Sequence, residues 1–141
     1  MVGVTPGGVI NFVSETFGVR ASDSNIFKKS NIIKNYEATR DSVLVDKGFL
    51  IDEDCAYNYV KLIRLPFLKD KKQFSEQEAL VNKEIAAARV HVEHMNARIK
   101  TMQILNNKLE WHFVKHIDDI FIVCCGLSNL STPIFDEDKF L

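Results

Sequence analysis

A chain of 141 residues can bury one sizeable core and is too short for two ordinary domains. Hydrophobic residues at 46% and charged residues at 26% are those of a soluble globular protein, and a net charge of −1 excludes a global pull toward nucleic acid, so any such binding must come from a local patch. Three cysteines, Cys55 and the adjacent Cys124 and Cys125, form an odd set without framework spacing, which argues for a reducing compartment. Residues 1–13 lack the basic start and apolar centre of a signal peptide. The longest apolar run, Ile120 to Cys125, is too short to span a bilayer. A cytosolic or nuclear protein with no membrane partner is expected.

Taken in order, Val2-Gly3-Val4, Thr5-Pro6-Gly7-Gly8 and Val9 to Ser14 read as a β-hairpin. Pro6 and Gly7 at the two central positions suit a type II turn. The chain opens inside a strand, as a domain entered partway through would. Ser22-Asp23-Ser24-Asn25 offers a helix cap, with Asp23 read either as the capping residue or as lying near a site at the same end of the sheet, and Ile26, Phe27, Ile32 and Ile33 line a short helix. Val43-Leu44-Val45 is a short apolar run that reads as a buried strand and stops abruptly at Asp46-Lys47-Gly48. Carboxyl ends of strands in open α/β sheets are where ligands bind, which makes Asp46 a candidate site residue; the plainer reading is a turn aspartate.

Residues 61–72 set Lys61, Arg64, Lys69, Lys71 and Lys72 against Asp70, a local charge of +4, around the extended Leu65-Pro66-Phe67-Leu68. Such a basic loop is either an ordinary solvated loop or a set of phosphate contacts that position a nucleic acid without reading its sequence. Ser75 to Lys100 follows as the longest predicted helix. Ser75 and Glu78 stand at capping-box spacing, and Val81, Ile85, Ala88, Val92, Met95 and Ile99 form one apolar stripe. Glu93 borders that stripe, with Arg89 one turn before it, so the two read either as a surface pair or as a carboxylate aimed into a cleft. After Asn106-Asn107, the spacing of Trp111, Val114, Ile117, Phe121 and Cys124 predicts a second amphipathic helix ending near Gly126 to Asn129. The acidic residues 133–141 read as a flexible tail.

His91, His94, His112 and His116 with Cys124 and Cys125 invite a zinc reading, but no Cys-x-x-Cys and no compact ligand spacing supports it. The cysteines read better as small buried apolar groups.

Three segments carry a resemblance when taken together: Val43 to Phe49 (VLVDKGF), Leu65 to Ser75 (LPFLKDKKQFS) and Ala88 to Lys100 (ARVHVEHMNARIK). Val4 to Glu15, Ala21 to Ser30 and Cys124 to Leu130 (CCGLSNL) extend it, so that it covers roughly residues 2–130. In this order they resemble the DDE superfamily endonucleases, the Harbinger-type transposase catalytic domain. The resemblance implies an α/β, RNase H-like fold over residues 1–132, incomplete here, with a small sheet from residues 2–16 and 42–46 and flanking helices. It further implies that Asp46 and Glu93 are the second and third of three catalytic acids that hold two divalent metals, Mg²⁺ or Mn²⁺, and that the substrate is double-stranded DNA in the nucleus. Arg64, Lys69, Lys71, Lys72 and Arg89 become the expected phosphate contacts.

The departures from the family pattern are specific. Its first acid lies on a strand upstream of Val2, and no position here matches it. His94 stands where the family has an arginine after the helix glutamate, and Gly18-Val19-Arg20 replaces its usual glycines. With two of three carboxylates, catalysis by this chain is expected to be lost or weak. Two rival readings stand beside the enzyme remnant: a domesticated, non-catalytic module that binds DNA or protein, and a helical interaction protein whose 75–100 stripe pairs as a coiled coil. A homo-oligomer, or a separate DNA-binding domain or protein, is compatible with each.

Overall fold

The computed structural model describes residues 1–46, 48–65 and 75–131. Lys47, residues 66–74 and residues 132–141 lie outside the described residues, and with them the loop lysines Lys69, Lys71 and Lys72 and the tail. The chain divides into two compact units, Met1–Thr16 with Val90–Leu141, and Phe17–Arg89. Each is taken by itself.

In the first unit, strands β1 (Val2–Val4) and β2 (Ile10–Val13) form an antiparallel hairpin. Val2 faces Val13, Gly3 faces Phe12 and Val4 faces Ile10, which leaves Asn11 as an extra residue and bends the strand. The turn is not type II. Gly8 amide donates to the Thr5 carbonyl at 2.9 Å, and the positive φ of 75° falls on Gly8 instead of Gly7. A three-residue loop that ends on a left-handed glycine is the other common way to close a hairpin, and Gly-Gly leaves either position available.

The second unit starts with α1 (Asp23–Ser30), capped by the Ser22 hydroxyl, which accepts from the Asn25 amide at 3.3 Å. Asp23 is therefore the first helical residue and Ser22 the cap; an acid there still suits the positive end of the helix. Asn31, at φ 54°, ends it in the left-handed region that Asn tolerates, and a 3₁₀ turn follows at Ile32–Asn35. Strand β3 (Ser42–Leu44), helix α2 (Asp52–Tyr57) and strand β4 (Lys61–Ile63) then make one βαβ unit. The two strands are parallel, with Val43 opposite Leu62. Parallel strands require a crossover, and α2 supplies it.

Strand β4 comes from the stretch expected to be a basic loop. Its cations bracket the apolar pair Leu62-Ile63: Lys61 is exposed while Val60 before it is buried, so the charges hid a strand. Sheet pairing begins ahead of both strands, because the Thr39 amide donates to the Tyr59 carbonyl at 2.7 Å. Both residues sit at positive φ, 65° and 55°, which is uncommon for the β-branched Thr39.

Helix α3 (Glu76–Lys100) passes from the second unit into the first. Its capping box closes as expected: the Ser75 amide donates to Glu78 at 2.8 Å and the Glu78 amide to the Ser75 hydroxyl at 3.3 Å. The apolar stripe is buried only at its far end, by Met95 and Ile99, with His91 completing the row one turn before Met95; Val81 is 53% exposed. After the short α4 (Gln103–Asn106), a 3₁₀ turn at Trp111–His116 leads into α5 (Ile117–Asn129).

The first unit's core joins Ile10, Met95, Ile99 and Cys125, with Val2, Val4, Val13, Leu105 and Phe121 against them. Cys55, Cys124 and Cys125 are all buried free thiols, as expected of small apolar groups. Among the described residues this is a mixed α/β structure with two small sheets and flanking helices, consistent with a partial RNase H-like fold. The single small sheet expected from residues 2–16 and 42–46 is instead two separate pairs, β1 with β2 and β3 with β4. No helix among the described residues is long and apolar enough to cross a membrane.

Helix α5 is tied to β2 by side chains. The Asn129 amide receives the Ile10 amide N–H at 2.9 Å and donates back to the Ile10 carbonyl at 2.8 Å. At the other end, the backbone N–H of Thr16 donates to Asp118 at 2.6 Å. Asn129→Ala leaves both backbone groups of a buried residue without these bonds and is expected to cost about 2 kcal/mol, read as a lower urea midpoint. The Thr16 amide, with its hydroxyl, holds the Asp118 carboxyl below its ordinary value of 3.8. Such a group adds stability above its unfolded pKa and loses it as pH falls through the folded one. Asp118→Asn should therefore show a smaller drop in urea midpoint than the wild type when pH is lowered below about 4.

Candidate functional site

Asp46 stands just past the carboxyl end of β3, where the backbone turns. The Val45 amide still donates to the Ile63 carbonyl of β4 at 3.1 Å, and the Phe49 amide then closes a turn onto the Asp46 carbonyl at 3.0 Å. That turn is braced from β4. Arg64, the residue after the strand, donates to the Phe49 carbonyl at 3.3 Å and grips Asp52 with both terminal nitrogens, at 2.9 and 2.7 Å. Asp52 opens α2, and Ile51 before it is fully buried. Both ends of the loop that carries Asp46 are thereby fixed, by strand pairing on one side and by a two-pronged ion pair with a buried anchor on the other.

The Asp46 side chain is 62% exposed, and its Oδ1 lies 3.4 Å from Nη2 of Arg89 on α3, which is 28% exposed. A β-carbon placed on Gly48 would lie 3.7 Å from Oδ2 of Asp23, so the first carboxylate of α1 overhangs the same turn. Lys28 of α1 also reaches Asp54 of α2, at 3.5 Å. Asp23, Asp46, Arg64 and Arg89 all belong to the Phe17–Arg89 unit, whereas Glu93 belongs to the other and is exposed. His94 and His112 are exposed, and His112 lies 3.4 Å from Glu110. Arg64 is engaged structurally, a task that its place in a basic stretch did not signal. Its partner Asp52, twelve residues earlier, could have been suspected only once 61–63 was known to be a strand.

The donors at this turn suit a hard cation in kind. Carboxylate oxygens are the ligands that Mg²⁺ and Mn²⁺ take, and Mg²⁺ characteristically binds one or two of them while water and substrate phosphate complete its shell. An exposed Asp46 leaves room for that water. Among the described residues, no group of three or more His, Cys, Asp and Glu side chains is arranged to hold a metal ion by itself. Arg64→Gln removes the brace and is expected to lower stability by about 1 kcal/mol, since the pair is two-pronged but Asp52 is half exposed; a urea midpoint measures it.

Comparison with known proteins gives one family over most of the chain. The family of DDE superfamily endonucleases matches residues 1–129. Neither the curated proteins nor the solved structures give a match. With all but the last twelve residues inside the family's pattern, this chain belongs to the DDE superfamily endonucleases.

Proposed function

We propose that the chain is the part of a Harbinger-type transposase catalytic domain, residues 1–132, that supplies the second and third acids of a DNA endonuclease. Asp46 and Glu93 are the metal ligands in this reading, with Mg²⁺ or Mn²⁺ as cofactor and double-stranded DNA as substrate, in the nucleus. The observation that supports it best is the position of Asp46. The residue that matches a catalytic acid stands at the carboxyl end of a parallel strand, on a turn braced by Arg64, with a helix arginine, Arg89, across from it. Glu93 enters this reading through the family resemblance of the segment Ala88 to Lys100.

A divalent cation held by Asp46 and Glu93 would supply charge neutralisation at the scissile phosphate and activation of the attacking oxygen. The chain's own residues bind and orient. Asp46 and Glu93 offer oxygen donors, Lys69, Lys71 and Lys72 meet backbone phosphates, and Arg64 and Arg89 add cationic charge while held by carboxylates. No position within residues 1–141 matches the first acid, so two carboxylates carry a charge that family members spread over three. The chain alone is therefore expected to bind DNA and metal and to turn over slowly or not at all. That expectation leaves a non-catalytic DNA-binding module as the second reading.

Two measurements separate these readings. Affinity for duplex DNA should fall with salt, and replacing Lys69, Lys71 and Lys72 with Gln should reduce the log–log slope by up to about 3, near 0.9 per phosphate contact. Binding that ignores those three lysines removes DNA from the reading. In a plasmid-nicking assay with Mn²⁺, any cleavage by the chain should disappear in Glu93→Gln and in Asp46→Asn; salt-sensitive binding with no cleavage, indifferent to both changes and to EDTA, selects the module.

A further inference from the structure

We infer that the surface around Trp111 joins two copies of this chain, the tryptophan of each filling a groove on the other. The inference is independent of the catalytic reading and concerns only the unit of Met1–Thr16 and Val90–Leu141. Trp111 is the chain's one tryptophan and is 88% exposed, whereas tryptophan is on average a highly buried residue. It opens the 3₁₀ turn that leads into α5. A groove of about 270 Å³ is formed by α4, the linker after it and that same turn, with Ile104, Leu109 and Phe113 as its apolar lining. Ile104 and Phe113 are 42% and 39% exposed, so the lining is open to an incoming side chain. The volume falls below the roughly 300–1,000 Å³ of small-molecule pockets and suits one large side chain.

The charges around the groove point to a second copy as the occupant. Lys108 and Glu110 also line it, one cation and one anion beside the apolar part. Glu110 keeps 73% of its side chain exposed although His112 lies 3.4 Å away. Knob, hole and both charges therefore lie between Ile104 and Phe113. A surface that carries both halves of each complementary pair is complementary to itself, as a two-fold interface must be. Across the axis, Trp111 of each copy enters the other's groove and Lys108 of each faces Glu110 of the other. Two tryptophans bury on the order of 400 Å². That area is at the low end for specific interfaces, so the dimer is weak, with Kd on the order of 10–100 µM.

The test uses the full 141-residue chain without DNA or metal, in sedimentation velocity from about 1 to 300 µM. Mass should rise from monomer to dimer, and tryptophan emission should shift to the blue with the same midpoint, a readout that needs no variant to fold. Trp111→Ala should raise Kd about thirtyfold or more, as loss of a central interface aromatic does. Ile104→Lys, in the groove, should do the same with the circular-dichroism spectrum unchanged. Lys108→Glu and Glu110→Lys should each weaken the dimer, and the two together should restore it. A monomer across the whole range, or a dimer indifferent to Trp111→Ala and Ile104→Lys, overturns the inference. Emission already blue in the monomer overturns it as well, because the chain's own residues then cover Trp111. A combined charge swap that fails to restore the dimer removes the two-fold pairing and the inference with it.

Discussion

The grip of Arg64 on Asp52 is the contact on which the Asp46 turn depends. A parallel pair of strands must be joined by a long excursion, here through α2, and an excursion leaves loops at both ends free to wander. Arg64 sits directly after β4, reaches back to the first residue of α2 and also takes the Phe49 carbonyl, so one side chain locks the loop between β3 and α2. That guanidinium ties the far side of the loop to the start of α2. Parallel sheets are usually covered on both faces, and among the described residues this one has two strands, so the side-chain lock adds a tie beyond the ladder itself.

Much of the helical framework was legible because its signals are local. Ser75 and Glu78 close the start of α3 on their own, and a cap needs nothing from the rest of the chain. The apolar Val43-Leu44 run was equally plain. What escaped depends on partners distant in sequence. Strand β4 is only three residues and carries a lysine, so it becomes a strand by pairing with β3. Helix α2 is six residues, too short for a periodic pattern to show. His91 fills a buried position in the row of Met95 and Ile99 that a hydrophobic template gives to Val92. Asp46 became a candidate through its place after a strand, and Glu93 was grouped with it only through resemblance to a family; periodicity has no means of relating an acid on a turn to an acid on a helix.

Charge in the stretch after β3 is less surplus than composition makes it. Of the five cations between 61 and 72, Arg64 is committed to Asp52, and Arg89 farther along faces Asp46. Counting lysines and arginines along a segment measures its potential only after such commitments are subtracted. Of the other cations in that stretch, Lys61 is exposed, and Lys69, Lys71 and Lys72 lie outside the described residues.

Asn129 has a role beyond fastening α5 to the hairpin. An amide side chain carries one acceptor and two donors, and here it copies the bonding of a neighbouring strand, taking both outward backbone groups of Ile10. That flank of β2 is blocked at this point. A further strand could therefore pair with β2 at Ile10 only by displacing this asparagine.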